Sequence, residues 1–289
     1  MKGKYRIQHK RIWLSVSLAV IALCAIGISF YSYMQQLSDL RTEYARARGD
    51  TIEAQRKGRR LLQDSLASMD PDSRWKKVRA RPVKIVLRHY WYHALLKAFV
   101  MPVERSGQTI ALRFRPAFNN IQLTFMDGKR KDLSWGIRDQ KTYRIDRDGK
   151  TLWEPDSAIE FHLPSYRFFL FLPFHLSEAE LITYAGTKDI RGERYDLVYA
   201  TWGKWSPQSD VDQYLVWIRR DTGRIDFVQS TVREVFNRSV VTLQLSDYKN
   251  AMGMSVPHSL RAHDDHPSSG HGMHLMKVIE MQTEDSDLE

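Results

Sequence analysis

The N-terminal part of the chain contains a long apolar run. No charged side chain occurs from Ile12 to Ser38, and Ile12 to Tyr33 forms 22 mostly apolar residues. A helix rises about 1.5 Å per residue, so this run is long enough to cross a hydrocarbon core of about 30 Å. Trp13 at one end and Tyr33 at the other have the side chains typical of membrane interfaces. The pattern predicts a transmembrane segment at residues 12–33.

A retained anchor has three alternatives: a buried core helix, a lipoprotein signal and a cleaved secretory signal. Cys24 resembles the cysteine of a lipoprotein box, but Leu23 stands where that box has a small residue. The apolar run also continues beyond Cys24. A cleaved secretory signal has a shorter apolar core, of about 7 to 15 residues, followed by small residues. We therefore expect an uncut signal anchor.

Residues 34–69 have the composition of a helix. They contain no proline and are rich in Arg, Ala, Leu, Gln and Glu. Steps of three and four residues from Leu37 through Ala54 and Gly58 to Ser65 meet no charged side chain. We predict a juxtamembrane stalk helix at 34–58 that continues into the next domain. Its uncharged face either belongs to a simple stalk or docks a partner helix in a membrane protein complex.

After Pro71 the pattern changes to short segments rich in β-branched and aromatic residues, separated by turn signals such as Asp127-Gly128. The predicted strands are Val83–Tyr92, Thr109–Phe114, Asn120–Met126, Leu133–Arg138, Thr142–Ile145, Arg194–Thr201, Tyr214–Arg219, Ile225–Val232, Val240–Leu245, Ser255–Arg261 and Met273–Met281. They predict a mainly β domain at residues 59–281, built on one curved or closed antiparallel sheet. An acidic tail at 282–289 follows this domain.

An aromatic stretch, Ser157–Leu181, interrupts the strands and predicts a short helix that ends near Pro173. Its rings are too closely spaced to enter one narrow core together. They are either a plug packed into the mouth of the sheet or the lining of a ligand site. Alternation along the strands adds three more candidate lining residues. The full candidate set is Tyr166, Phe168, Phe169, Phe171, Phe174, Leu215, Trp217 and Phe227.

The net charge of +10 is confined to the first part of the chain. Residues 1–11 carry five bases and no acid, and residues 39–81 carry twelve bases and seven acids, so residues 82–289 are neutral. A neutral folded domain excludes a nucleic-acid partner. The basic tail at 1–11 predicts a cytoplasmic N-terminus and export of the remainder.

Three stretches carry a family resemblance: Leu61–Trp75, with Met-Asp-Pro before a Trp; Tyr214–Ile225, a hairpin with Thr-Gly; and Leu245–His258, with Asp-Tyr, Gly and Pro-His in order. Together they resemble the LolA/LolB-type superfamily of bacterial periplasmic lipoprotein-sorting proteins and, more closely, its uncharacterised relatives. With the basic tail, the resemblance implies a bacterial inner-membrane protein whose C-terminal domain is periplasmic. The resemblance covers about residues 59–281. It implies a bent, incomplete antiparallel barrel with helices over its concave mouth and an apolar cavity that accepts acyl chains.

Chemical motifs are sparse. His263, His266, His271 and His274 are weak candidates for a metal site in a loop of polar composition, and solvated loop histidines are the simpler interpretation. The sequence lacks a phosphate loop, a His-Glu-x-x-His motif and a Gly-x-Ser-x-Gly motif. We therefore expect no enzyme and no cofactor. The first hypothesis is an anchored periplasmic protein that holds or hands on a lipid or another apolar ligand, and the second is an assembly subunit of a membrane complex.

Overall fold

The computed structural model describes residues 24–92, 106–264, 266–268 and 271–284. The predicted cytoplasmic tail at 1–11 and half of the predicted transmembrane segment at 12–33 lie outside the described residues. So does most of the predicted acidic tail. The described part begins in a helix at residues 24–34. Within the described ranges, no helix has the length and apolar character needed to span a bilayer.

The strands form a single antiparallel sheet of 13 strands, in the order β6-β5-β4-β3-β2-β1-β13-β12-β11-β10-β9-β8-β7. The strands are β1 Val83–Trp91, β2 Gln108–Phe114, β3 Ile121–Phe125, β4 Ser134–Arg138, β5 Lys141–Ile145, β6 Thr151–Trp153, β7 Leu181–Ile190, β8 Glu193–Thr201, β9 Gln213–Arg219, β10 Ile225–Thr231, β11 Val240–Ala251, β12 Met254–Asp264 and β13 Gly272–Thr283. The helices that pack on the sheet are α1 Glu43–Arg48, α2 Ile52–Met69, α3 Trp75–Val78, α4 Ser157–Leu170 and α5 Leu172–Leu176.

The sheet bends around the helices. Helix α4 packs on β3 and β4, yet its Phe168 also contacts Trp202 and Tyr214 beside β8 and β9, at the opposite end of the strand order. Strands so far apart in one sheet meet the same helix only when the sheet curves. The predicted fold class, a mainly β antiparallel sheet with covering helices, is confirmed. The face that meets α2 to α5 is called the inner face below, and the opposite face the outer face.

The predicted strands are all present with shifted ends, and two further strands, β6 and β7, were not predicted. β6 has three exposed residues and no alternation. β7 lies at an edge, where Ile182 to Ala185 are buried in succession because both faces of the strand are covered. A strand buried on both faces loses the period-two signal that predicts a half-buried strand.

The predicted continuous helix over residues 34–69 is wrong. Two capping threonines divide it: the Thr42 hydroxyl accepts from the Ala45 amide at the start of α1, and the Thr51 hydroxyl accepts from the Ala54 amide at the start of α2. Side-chain acceptors of this kind satisfy amides that a helix start leaves unpaired. The domain boundary that we predicted between residues 58 and 59 falls inside α2.

The uncharged face of the predicted stalk is covered by the sheet of this same chain. Ala54, Gly58, Leu62, Ser65 and Met69 are the buried residues of α2, which packs on β7, β8 and β9. The helix covers an edge strand that would otherwise present unpaired backbone groups. Docking of a partner helix on this face would require α2 to leave the sheet.

Candidate functional site

The candidate site is the inner face of the sheet under α4 and α5. The predicted aromatic stretch forms these two helices, and Asp156 begins α4 by accepting hydrogen bonds from the Ala158 and Ile159 amides at 3.0 and 3.2 Å. Pro164 lies inside α4, where it supplies no backbone amide to the helix. Helix α4 nevertheless continues to Leu170, and a break at Phe171 separates it from α5. The two helices together form a covering segment, called the cover below.

The rings of the cover fill the space beneath it. Tyr166, Phe171 and Phe174 are buried, whereas Phe168 and Phe169 are partly exposed at the edge of the same core. Phe171 meets the ring of Phe114 on β2 with centroids 6.1 Å apart. The family resemblance implies an apolar cavity, but here the side chains of the cover occupy this part of the interior.

A second set of rings links the cover to α3 and to the far strands. The Trp75 ring stacks on Phe174 with centroids 5.0 Å apart, and His175 stacks on Phe168 at 5.5 Å. Trp75 Nε1 and His175 Nε2 are buried without a hydrogen-bond partner among the described residues. Burial, with the nearby guanidinium groups of Arg167 and Arg79, lowers the pKa of His175 to about 4. His175 is thus neutral, and among the described residues both nitrogens lie in the interior without a hydrogen-bond partner.

A chain of three polar side chains joins the cover to the sheet. His89 Nδ1 on β1 lies 2.7 Å from His274 Nε2 on β13, and the Tyr166 hydroxyl lies 3.2 Å from His89 Nε2. Trp91 stacks on His274 with centroids 4.1 Å apart. Burial holds the pKa of His89 well below its ordinary range and lowers the pKa of His274 to about 3. The polar chain is therefore uncharged at neutral pH, and one imidazole donates its N–H to the other.

The remaining predicted lining residues lie on the other face of the sheet. Leu215, Trp217 and Phe227 belong to an outer-face cluster that also contains Ala45 and Tyr199. On β9 it is Tyr214, Val216 and Ile218 that belong to the inner core. The structure brings together the five rings of α4 and α5, and it does not bring Leu215, Trp217 and Phe227 to them. Ligand contact by any of the eight residues stays a prediction.

The four candidate metal ligands are dispersed. His263 bonds Gln244 at 3.2 Å, the exposed His266 bonds Ser268 at 2.7 Å, and His271 is exposed. His274 instead bonds His89. In the part of the chain that the structure describes, no group of three or more His, Cys, Asp or Glu side chains is placed to hold a metal ion.

A basic surface cleft of about 460 Å³ lies beside the inner core. Arg74, Lys77 and Arg81 line it with one acid, Asp72, which accepts hydrogen bonds from Arg74 at 3.1 Å. Val78 lines the cleft and also belongs to the inner core. The cleft thus places cationic side chains next to an apolar interior.

No family model and no curated protein matches the sequence. Solved structures do match. A DUF1329 family protein from Desulfovibrio piger has a TM-score of 0.50 at 9% identity, over 81% of this chain and 95% of that one. A putative outer membrane lipoprotein-sorting protein domain from Vibrio parahaemolyticus gives 0.48 at 11% identity, over 81% and 95%. A LolA superfamily protein from Nitrosomonas europaea gives 0.46 at 9% identity, over 80% and 94%.

These likenesses concern the fold. Identities near a tenth of the positions transfer no residue role and no ligand to this chain. The match at a TM-score of 0.50 shows that the chain shares the fold of the DUF1329 family protein. A LolA superfamily protein and a lipoprotein-sorting domain, the class that the sequence resembles, are among the structures matched.

Proposed function

We propose that this protein binds a lipid or another acyl-bearing apolar molecule on the inner face of its sheet. The observation that carries the proposal is the neutral apolar interior closed by a ring-bearing cover. Apolar surfaces with a few placed polar atoms are typical of ligand sites, and burial of apolar area supplies roughly 25 cal/mol per Å². The proposed role is binding and transfer without catalysis or a cofactor.

The ligand gains room when the cover moves. Tyr166, Phe171 and Phe174 occupy the interior, and an acyl chain that replaces them buries apolar surface of a similar kind, so the exchange changes the transfer free energy little. Polar links hold the cover and the residues just after it against the domain, among them the Tyr166–His89 hydrogen bond and the Arg79–Glu178 ion pair at 2.6 Å. The Tyr166–His89 bond has to break when a ligand replaces the cover.

The apolar run and the basic cleft refine the proposal. Residues 12–33 supply a membrane anchor with the domain on the periplasmic side of a bacterial inner membrane, where the protein serves lipid or lipoprotein transport in the envelope. Arg74 and Lys77 beside Val78 suit an anionic headgroup whose acyl chains enter the core. The preferred ligand class is therefore an acidic lipid.

Photochemical labelling of the full chain tests this proposal. The protein is purified in mild detergent, its organic extract is analysed by mass spectrometry, and a long-chain fatty acid bearing a diazirine is photolysed on it. We expect stoichiometric acidic lipid in the extract and diazirine adducts at inner-face positions such as Val198, Val216 and Val228. Their strand neighbours on the outer face, Leu197, Leu215 and Phe227, are the matched controls. A lipid-free extract together with adducts that do not discriminate between the faces would contradict the proposal.

A further inference from the structure

The segment that follows the first helix is bonded to a turn of the domain. The Arg238 amide donates to the Met34 carbonyl and the Ser38 amide donates to the Asn237 carbonyl, both at 3.1 Å. The Asn237 side chain donates to the Gln35 carbonyl at 3.3 Å. Residues 34–38 therefore run against the turn between β10 and β11 at residues 232–239, called the β10–β11 turn below.

The side chain of Arg233 stabilises the contact between residues 34–38 and the β10–β11 turn, called the junction below. Its side chain is buried and donates to the Ser38 hydroxyl at 3.0 Å, and also to the Ser38 and Asn237 carbonyls. Its own amide donates to Asp212 at 2.9 Å, which ties the junction to the strand region of the domain. Removal of a buried charged donor leaves several acceptors unpaired, so this joint is costly to open. The helix and the domain are thus connected by a fixed joint and not by a free linker.

The β10–β11 turn exposes apolar side chains beside the end of the apolar run. Val235 and Phe236 are 42% and 41% exposed, and Tyr33 is 48% exposed. The Arg238 guanidinium lies 3.9 Å from the centroid of the Tyr33 ring. Phe236 is two residues from Arg238, so its Cα lies within about 7 Å of the Arg238 Cα. Aromatic and cationic side chains at the end of an apolar run are typical of the membrane interface.

We propose that the β10–β11 turn is a second membrane contact, in which Val235 and Phe236 enter the interfacial layer of the bilayer that holds the anchor. This inference rests on the proposed anchor at residues 12–33. The partner of Val235 and Phe236 is the lipid surface, because hydrogen bonds at Met34 and Ser38 hold their turn beside the end of the apolar run. The contact holds the domain in one orientation over the bilayer, with Glu234 and Arg238 at the headgroup level.

Single-cysteine fluorescence on the full chain in lipid nanodiscs tests the contact. The native Cys24, the only cysteine, is labelled with an environment-sensitive nitrobenzoxadiazole dye and reports the anchor. Cys24→Ser with Phe236→Cys, or with Val235→Cys, reports the turn. Cys24→Ser with Phe118→Cys is the matched control, because Phe118 is an exposed ring, at 51% against 41% for Phe236, in the β2–β3 connection. All three substituted side chains are exposed, so the fold is retained.

We expect a blue-shifted emission and loss of signal to doxyl-labelled lipid at positions 24, 235 and 236, and a water-like emission at position 118. Quenching at position 24 with a water-like emission at 235 and 236 overturns the membrane contact while leaving the anchor in place. A water-like emission at all four positions overturns the anchor and the contact together. Lipid extraction and photolabelling report ligand binding separately, so failure there leaves this test interpretable.

Discussion

The imidazole rings of His89 and His274 lie where burial disfavours a positive charge. Both are buried in an apolar interior and bond each other, and His89 also bonds the hydroxyl of Tyr166. His162 and His175 on the cover share this environment, and burial lowers the pKa of each to about 4. Desolvation disfavours the charged form of a histidine, which explains the direction in every case. Between their folded and unfolded pKa values, these histidines are therefore neutral in the folded protein and protonated in the unfolded chain.

This difference in protonation predicts that the stability of the folded protein depends on pH. The unfolded pKa of histidine is about 6.5, and the folded values are lowered to about 4 for His162 and His175 and about 3 for His274. Stability from these groups is complete above about pH 6.5 and is lost as pH falls toward the folded values. Each histidine contributes a slope of up to about 1.4 kcal/mol per pH unit. Urea unfolding between pH 7.5 and pH 5 measures the slope.

Two variants separate this effect from general weakening. His175→Phe keeps a ring against Phe168 and removes one histidine whose pKa is lowered in the folded state. We therefore expect the number of protons taken up on unfolding, which sets the slope, to fall by as much as one. Phe174→Leu, at the neighbouring buried position, lowers stability at every pH and leaves the slope unchanged. A slope that is the same in wild type and His175→Phe would contradict a lowered pKa for His175 in the folded protein.

At the level of elements, α2 approaches β7 as closely as backbone allows. A Cβ at Gly58 would lie 2.4 Å from the Thr183 carbonyl carbon and 2.5 Å from the Tyr184 amide nitrogen. Both are backbone atoms of a strand and cannot rotate away. Gly58 therefore sets the distance between the helix and the edge strand that it covers.

Gly58→Ala is expected to lower the free energy of unfolding by about 2 kcal/mol. Overpacking costs about 1 to 3 kcal/mol, and a clash with strand backbone belongs to the upper part of that range. The better helix propensity of Ala offsets only about 1 kcal/mol of this cost. Arg60→Ala, on the exposed side of the same helix, is the control and should change stability by less than about 0.5 kcal/mol. Chemical denaturation would contradict the argument if Gly58→Ala were the more stable of the two.

Strands were predictable from the sequence where burial of one face alone produces alternating hydrophobic and polar positions. β3, with alternating burial, and β1, buried at every second position over most of its length, were predicted within a residue of their observed ends. β7 was missed because burial on both faces erases alternation. The predicted stalk helix was too long because composition does not distinguish a helix interior from the Thr42 and Thr51 caps that divide it.

At the level of the molecule, the candidate site is assembled from distant parts of the chain. Tyr166 was a predicted lining residue, but the polar chain that it forms through His89 to His274 was not predicted. The reason is that 77 residues separate Tyr166 from His89 and 185 separate the two histidines. Strand β9 is apolar at successive positions, so no alternation assigns Leu215 to the outer face. That face is apolar because residues such as Leu40 and Ala45 pack over it.

The filled interior predicts how the protein responds to its ligand. Because Tyr166, Phe171 and Phe174 occupy the inner face, an acyl chain bound there must displace the cover, and amides of α4 and α5 should exchange hydrogen faster in the loaded protein. The amides of β9 and β10 should keep their protection, because both faces of these strands stay covered. Hydrogen exchange on the full chain, with and without a long-chain fatty acid, measures the difference. If the fatty acid binds while α4 and α5 exchange as before, the ligand lies outside the inner face and the cover is a permanent part of the core.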